Sequence, residues 1–178
     1  MNAAGNGATL RVQPTDARNA SLYEIEQMRS GVRFSRVWHD DDMVELRIEV
    51  ADRTSSFVTT ACTTAAELLR IHESLLGYRE EFTGGAVELR FGEFGPQRGN
   101  GAFHARLQFQ PPGSLFVCTH QQSGFLPFPS DMVANEARMH VLSEPVLLDR
   151  FIHQLQGLAT GQCEEAVLDG LEGGFDLL

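Results

Sequence analysis

Residues 37–50 read VWHDDDMVELRIEV, and His39, Asp40, Asp41 and Asp42 form the densest group of potential ligands in the chain. Adjacent carboxylates suit a hard divalent cation such as Mg or Ca. The calcium-loop spacing D-x-[DN]-x-[DN]-G-x₅-E is missing, however, and consecutive side chains point in different directions. Aspartate also accepts hydrogen bonds from nearby backbone N–H groups and tolerates turn dihedrals. The stretch is therefore read as a turn. Its three carboxylates form an exposed acidic tip that would meet a partner.

Other groups invite the same question. Cys118 and His120, in VCTH, lie two residues apart on one strand face. A thiol and an imidazole can form a nucleophile–base pair, but same-face strand neighbours stand about 6.5 Å apart at Cα, so a buried Cys and a strand-end His are preferred. His104, His120 and His140 fall on three expected strands and would make a zinc site only if those strands were neighbours in register. His72 and His153 fall on helix faces and read as solvated or packed at a rim. The Gly-rich GGAVELRFGEFGPQRGNG matches neither the P-loop nor a dinucleotide-binding turn. It reads as a long hairpin loop, with Gln97, Arg98 and Asn100 as possible recognition groups. In SGFLPFPSD, Phe125, Leu126 and Phe128 stand between prolines and must either fold back on the core or anchor a partner. No stretch joins an acid, a base and a nucleophile, so no catalytic, cofactor or metal residues are assigned. Asp40, Asp41, Asp42, Glu93, Phe125, Leu126 and Phe128 are the expected partner contacts.

The elements that position these residues follow from periodicity. VRFSRVW places Val32, Phe34 and Trp38 on one face, and MVELRIEV alternates with Val44, Leu46, Ile48 and Val50 inward. FVTTAC is rich in β-branched residues. Thr64 to Glu67 has capping-box spacing, and Leu68, Ile71, Leu75 and Tyr78 follow at helical intervals up to about residues 81–85. AVELRF, AFHARLQF, SLFVCTH and ARMHVLS read as four more strands. Ser143 as cap and Pro145 in the first turn open a second helix. Its apolar face holds Leu147, Leu148, Phe151, Ile152, Leu155 and Leu158, and Gly161 closes it. A short helix is expected from Ser21 to about Gly31. No internal repeat is visible.

These signals predict one α+β domain over 21–161, with a mostly antiparallel sheet of about seven strands (βββ-α-ββββ-α) and two helices on one face. Residues 1–20 read as a flexible tail, and 162–178 as a helical turn followed by an acidic tail. With 178 residues, 42% hydrophobic and 21% charged, the composition is that of a globular protein. No window is apolar enough to span a bilayer and no secretory leader is apparent, so a cytoplasmic location is expected. Three separated cysteines fit reduced thiols. The net charge of −10 disfavours nucleic acid and suits a basic protein partner.

From Val32 to about Leu158, the run VRFSRVW, MVELRIEV, FVTTAC, TTAAELLRIHESLLGYREEF, AVELRF, AFHARLQF and EPVLLDRFIHQLQ resembles the immunity-protein-like small α+β bacterial proteins that accompany toxin genes. The resemblance implies a non-enzymatic inhibitor that binds a basic toxin domain. A secretion chaperone or assembly factor is the alternative, and a small metal-dependent hydrolase the third reading.

Overall fold

The computed structural model describes residues 29–80, 85–96, 100–111, 113–129 and 131–171. The expected tail of residues 1–20, the helix from Ser21 as far as residue 28 and the end of the chain from 172 lie outside these residues, and Gly31, the expected end of that helix, instead begins a strand. All seven expected strands form: β1 (Gly31–His39), β2 (Val44–Ala51), β3 (Ser56–Thr63), β4 (Ala86–Phe91), β5 (Ala102–Gln110), β6 (Ser114–Gln122) and β9 (Glu136–Ser143). The helices α1 (Ala65–Glu80) and α2 (Pro145–Thr160) also stand where their patterns put them. Three further strands are β7 (Leu126–Phe128), β8 (Asp131–Val133) and β10 (Glu165–Asp169).

The strands form two four-stranded antiparallel sheets and one hairpin, not a single sheet of seven. The first sheet has the order β10-β1-β2-β3, and the second β4-β5-β6-β9. Their apolar faces meet at Phe34 of β1, whose ring packs edge-on against Phe91, Phe103 and Phe151 at centroid distances of 5.3, 5.4 and 5.5 Å. The helices pack against each other. His72 of α1 is buried, not solvated, and its Nδ1 donates to the Ile152 carbonyl of α2 at 3.0 Å.

The order of elements repeats, although the side chains conceal it. Apart from the β7–β8 hairpin inserted between β6 and β9, each half runs βββ-α-β: β1-β2-β3-α1-β4, then β5-β6-β9-α2-β10. The third strand and the helix begin at Ser56 and Ala65 in one half and at Glu136 and Pro145 in the other, the same 80-residue spacing. β3 and β9 alternate identically between buried and exposed positions. His72 and Ile152 are equivalent under this spacing, so their contact lies where the two related helices cross. The final strand of each half pairs with the first strand of the other: β4 with β5, and β10 with β1.

Local chemistry explains the remaining differences from the sequence reading. Residues 165–169 form β10, not a helical turn, because pairing with Gly31–Ser35 of β1 supplies their hydrogen bonds. Glu144, not Ser143, caps α2, and it does so without a side-chain bond. The Ser143 hydroxyl instead donates to the Asp169 carbonyl at 2.6 Å. Gly161 closes α2 in the left-handed conformation, as its type predicts. Thr64 Oγ1 accepts the Glu67 N–H at 3.1 Å, while the Glu67 carboxylate accepts from the Thr63 hydroxyl at 3.2 Å. Gly101 lies so close to the Thr59 hydroxyl and the Thr60 carbonyl that a Cβ would collide with both.

Tyr78 fixes α1 to the second sheet. Its ring stacks on Phe109 at 4.7 Å, and its hydroxyl accepts the Phe109 N–H at 2.8 Å. Burial raises the Tyr78 pKa above the ordinary phenol value. Tyr78→Phe keeps the ring but removes that acceptor inside the core. We expect about 1–3 kcal/mol of destabilisation by denaturant titration, with an unchanged m-value.

Candidate functional surface

The acidic tip forms as the β1–β2 turn. Asp40 Oδ1 accepts the Asp42 and Met43 N–H groups at 2.9 and 2.7 Å, and the Asp40 N–H donates to the Met43 carbonyl. These bonds hold the Asp40 carboxyl below the ordinary carboxylate value, the Met43 amide contributing most. Asp52 caps the next turn in the same way, through Thr54 and Ser55, and its carboxyl is lowered too. A carboxyl that ionises more easily when folded gives its stabilisation in full above the unfolded value. That stabilisation is lost as pH falls through the lower folded value. The amides of Asp42, Met43, Thr54 and Ser55 are therefore expected to keep their exchange protection down to about pH 4 and to lose it below. An NMR titration reads this directly.

Asp41 and Asp42 stay exposed at the tip. Trp38 joins them, 52% exposed. Its alternation with Val32 and Phe34 predicts an inward ring, but the β1–β2 register shifts between Arg36 and Trp38. That bulge sets Arg36 opposite Leu46 and Trp38 opposite Glu45, which turns the indole outward.

SGFLPFPSD does not fold back onto the core. Its Leu126–Phe128 run pairs with Asp131–Val133 as an arm standing on the β6–β9 ladder. The foot is closed by Ser123 N–H to the Asn135 carbonyl at 2.8 Å. Leu126 and Phe128 are 58% and 57% exposed, Met132 and Val133 are exposed beside them, and Phe125 is half-buried at the base.

Between tip and arm runs the outer face of the second sheet. One cleft of about 340 Å³ is lined by Met43, Cys62, Glu67, Arg90, Glu93 and Asn100. A second, of about 420 Å³, is lined by Arg90, Glu93, Phe94, Phe103, His104 and His120. Arg90 and Glu93 border both, so the two clefts are contiguous. Phe94 stacks on His120 at 4.3 Å. His120 Nε2 lies 3.2 Å from Glu136 Oε2, at the foot of the arm, and the Gln122 amide donates to Glu136 Oε1 at 2.6 Å. The Gln122 bond and then the His120 bond hold the Glu136 carboxyl below its ordinary value.

His104, His120 and His140 do lie on neighbouring strands and on one face. They still do not converge. His104 Nε2 sits 3.4 Å from Glu88, His120 turns to Glu136, and His140 turns to Cys118. Among the described residues, no three metal-ligating side chains come together. Cys118 pairs with His140 across the ladder, Sγ to Nδ1 3.1 Å, and not with His120 along its own strand.

No family model, curated protein or solved structure matches the chain. No described helix is long and apolar enough to cross a membrane. The surface must therefore be read from its own chemistry. An apolar arm and an acidic, Trp-bearing tip flank two open clefts. Of the residues that the sequence offers as partner contacts, Asp40, Asp41, Asp42, Leu126 and Phe128 are exposed, Glu93 borders both clefts and Phe125 is half-buried. The structure adds Trp38, Phe94, Met132 and Val133 to the exposed apolar groups of this surface, where the sequence reading did not place them. The Pro–Phe–Pro punctuation around Phe128 was the available signal for the last two, whereas the bulge at Val37 left none.

Proposed function

We propose that this protein acts by binding another protein, as an immunity-like inhibitor of a basic toxin domain, and carries out no catalysis of its own. The β7–β8 arm supports this reading most strongly. Large apolar side chains in solvent cost free energy in the free protein and return it when a partner covers them. The net charge of −10 and the tip carboxylates favour a basic partner by steering its approach.

The tip and the arm are expected to contribute differently. Asp41→Asn with Asp42→Asn, leaving the turn-forming Asp40 in place, is expected to slow association about tenfold at low salt. The dissociation rate should hardly change. Stopped-flow or surface-plasmon measurements with the partner captured from the source cell read both rates. Association rates equal to wild type at low salt would reduce the tip to a turn.

A secretion chaperone or assembly factor is the second reading. The same arm favours it, since an export client offers apolar segments. Light scattering separates the two readings: a chaperone of this size is expected to dimerise, and its dimer should dissociate when the arm is made polar.

A further inference from the structure

The three thiols of this chain have three different surroundings. Cys163 is committed as a donor, its Sγ lying 3.2 Å from the Gln154 carbonyl and 3.3 Å from the Glu165 carbonyl. Cys62 faces Glu45, and burial together with that carboxylate raises its pKa above the ordinary thiol value. Neither setting favours a nucleophile.

Cys118 sits partly exposed in the middle of the outer face of the second sheet. Its Sγ is 3.1 Å from His140 Nδ1, directly opposite on β9. Phe116 stacks on the His140 ring at 5.5 Å and holds its plane. Arg106 stands directly opposite Cys118 on β5, and Arg138 occupies β9 two residues before His140. In a chain of net charge −10, this face gathers Arg90, Arg106 and Arg138 with three of the six histidines. Glu88, opposite Arg106, and Glu136 are the acidic strand residues described on the same face, and Glu93 borders its clefts.

We propose that Cys118 is a thiol–disulfide exchange site, with His140 as its base, for small anionic disulfides of the glutathione type. His140 Nδ1 takes the Sγ proton. The Sγ electron pair then attacks one sulfur of the incoming disulfide, and that S–S bond breaks as a mixed disulfide forms on Cys118. The departing thiolate leaves with the bonding pair and recovers the proton from His140, so the small disulfide is the only oxidant required. Arg106 and Arg138 receive the carboxylates of the incoming molecule. The site stands independently of the arm and its partner.

Mass mapping of the intact chain after exposure to glutathione disulfide tests this site. Cys118 is expected to acquire one glutathione at least about tenfold faster than Cys62 or Cys163, and His140→Gln should slow that reaction at least about tenfold. Arg106→Gln should slow the reaction with glutathione disulfide but not with cystamine, a cationic disulfide. This arm separates substrate attraction from any effect on folding. First labelling at Cys62 or Cys163 overturns the proposal, as does a His140→Gln rate equal to wild type. Equal effects of Arg106→Gln on both disulfides overturn the anionic specificity.

Discussion

Leu126→Ser combined with Phe128→Ser is expected to weaken partner binding by at least about 100-fold and to leave folding untouched. Both side chains are more than half exposed on an arm whose strands, among the described residues, pair only with each other. Making them polar therefore removes nothing from the core, and a thermal melt should move by no more than a degree or two. Anchors of this kind carry about 2 kcal/mol or more each at the centre of an interface, and each 1.4 kcal/mol is tenfold in affinity. Met132→Ser and Val133→Ser should produce a smaller loss of the same sign. Affinity capture from the source cell, wild type beside the double variant, reads the effect. A partner retained equally by both would falsify the assignment of the arm as anchor.

Phe34→Ala is expected to have the largest effect on stability. Phe34 is wholly buried and touches a ring from each of β4, β5 and α2, so it joins both sheets and one helix. Truncation leaves a cavity that three separate elements cannot jointly close. The expected cost is about 3–5 kcal/mol, or roughly 10 °C in Tm for a chain of this size. The edge-to-face geometry of the three ring pairs adds to the area term, so Phe34→Leu should recover only part of the loss. Denaturant titrations of both variants give the comparison.

Strands and helices whose alternation is set by the core were legible in the sequence. The inward sets Val44-Leu46-Ile48-Val50 and Phe103-Ala105-Leu107-Phe109 are buried as their periodicity requires. What escaped depended on long-range partners. EEAVLD reads locally as a helical turn and becomes a strand only because β1 offers it a ladder. Trp38 keeps its alternation on paper, but a single extra residue reverses its face. The three strand histidines and Cys118 were visible as candidates, yet which side chain meets which is decided by cross-strand register. The repeat was hidden because equivalent positions carry different side chains, His72 against Ile152 and Tyr78 against Leu158. β3 and β9 share one alternation of buried and exposed positions, but the halves share no run of identical residues.

The reciprocal pairing of β4 with β5 and β10 with β1 has an evolutionary consequence. One half, βββ-α-β, ends in a strand whose ladder lies in the other half, so a protein of half this length would expose an unsatisfied final strand. Two such half-length chains would satisfy each other by exchanging those strands about a two-fold axis between their helices, where His72 now meets Ile152. The present chain is what fusion of that homodimer's two copies would produce. The β4–β5 connection would be the point of joining, and the partnership of Ser30 with Gly170 would mark where the two open ends came to rest. A circular permutant opened between β4 and β5, with residues 172–178 and 1–28 kept as the connection from Leu171 to Arg29, should therefore retain the fold.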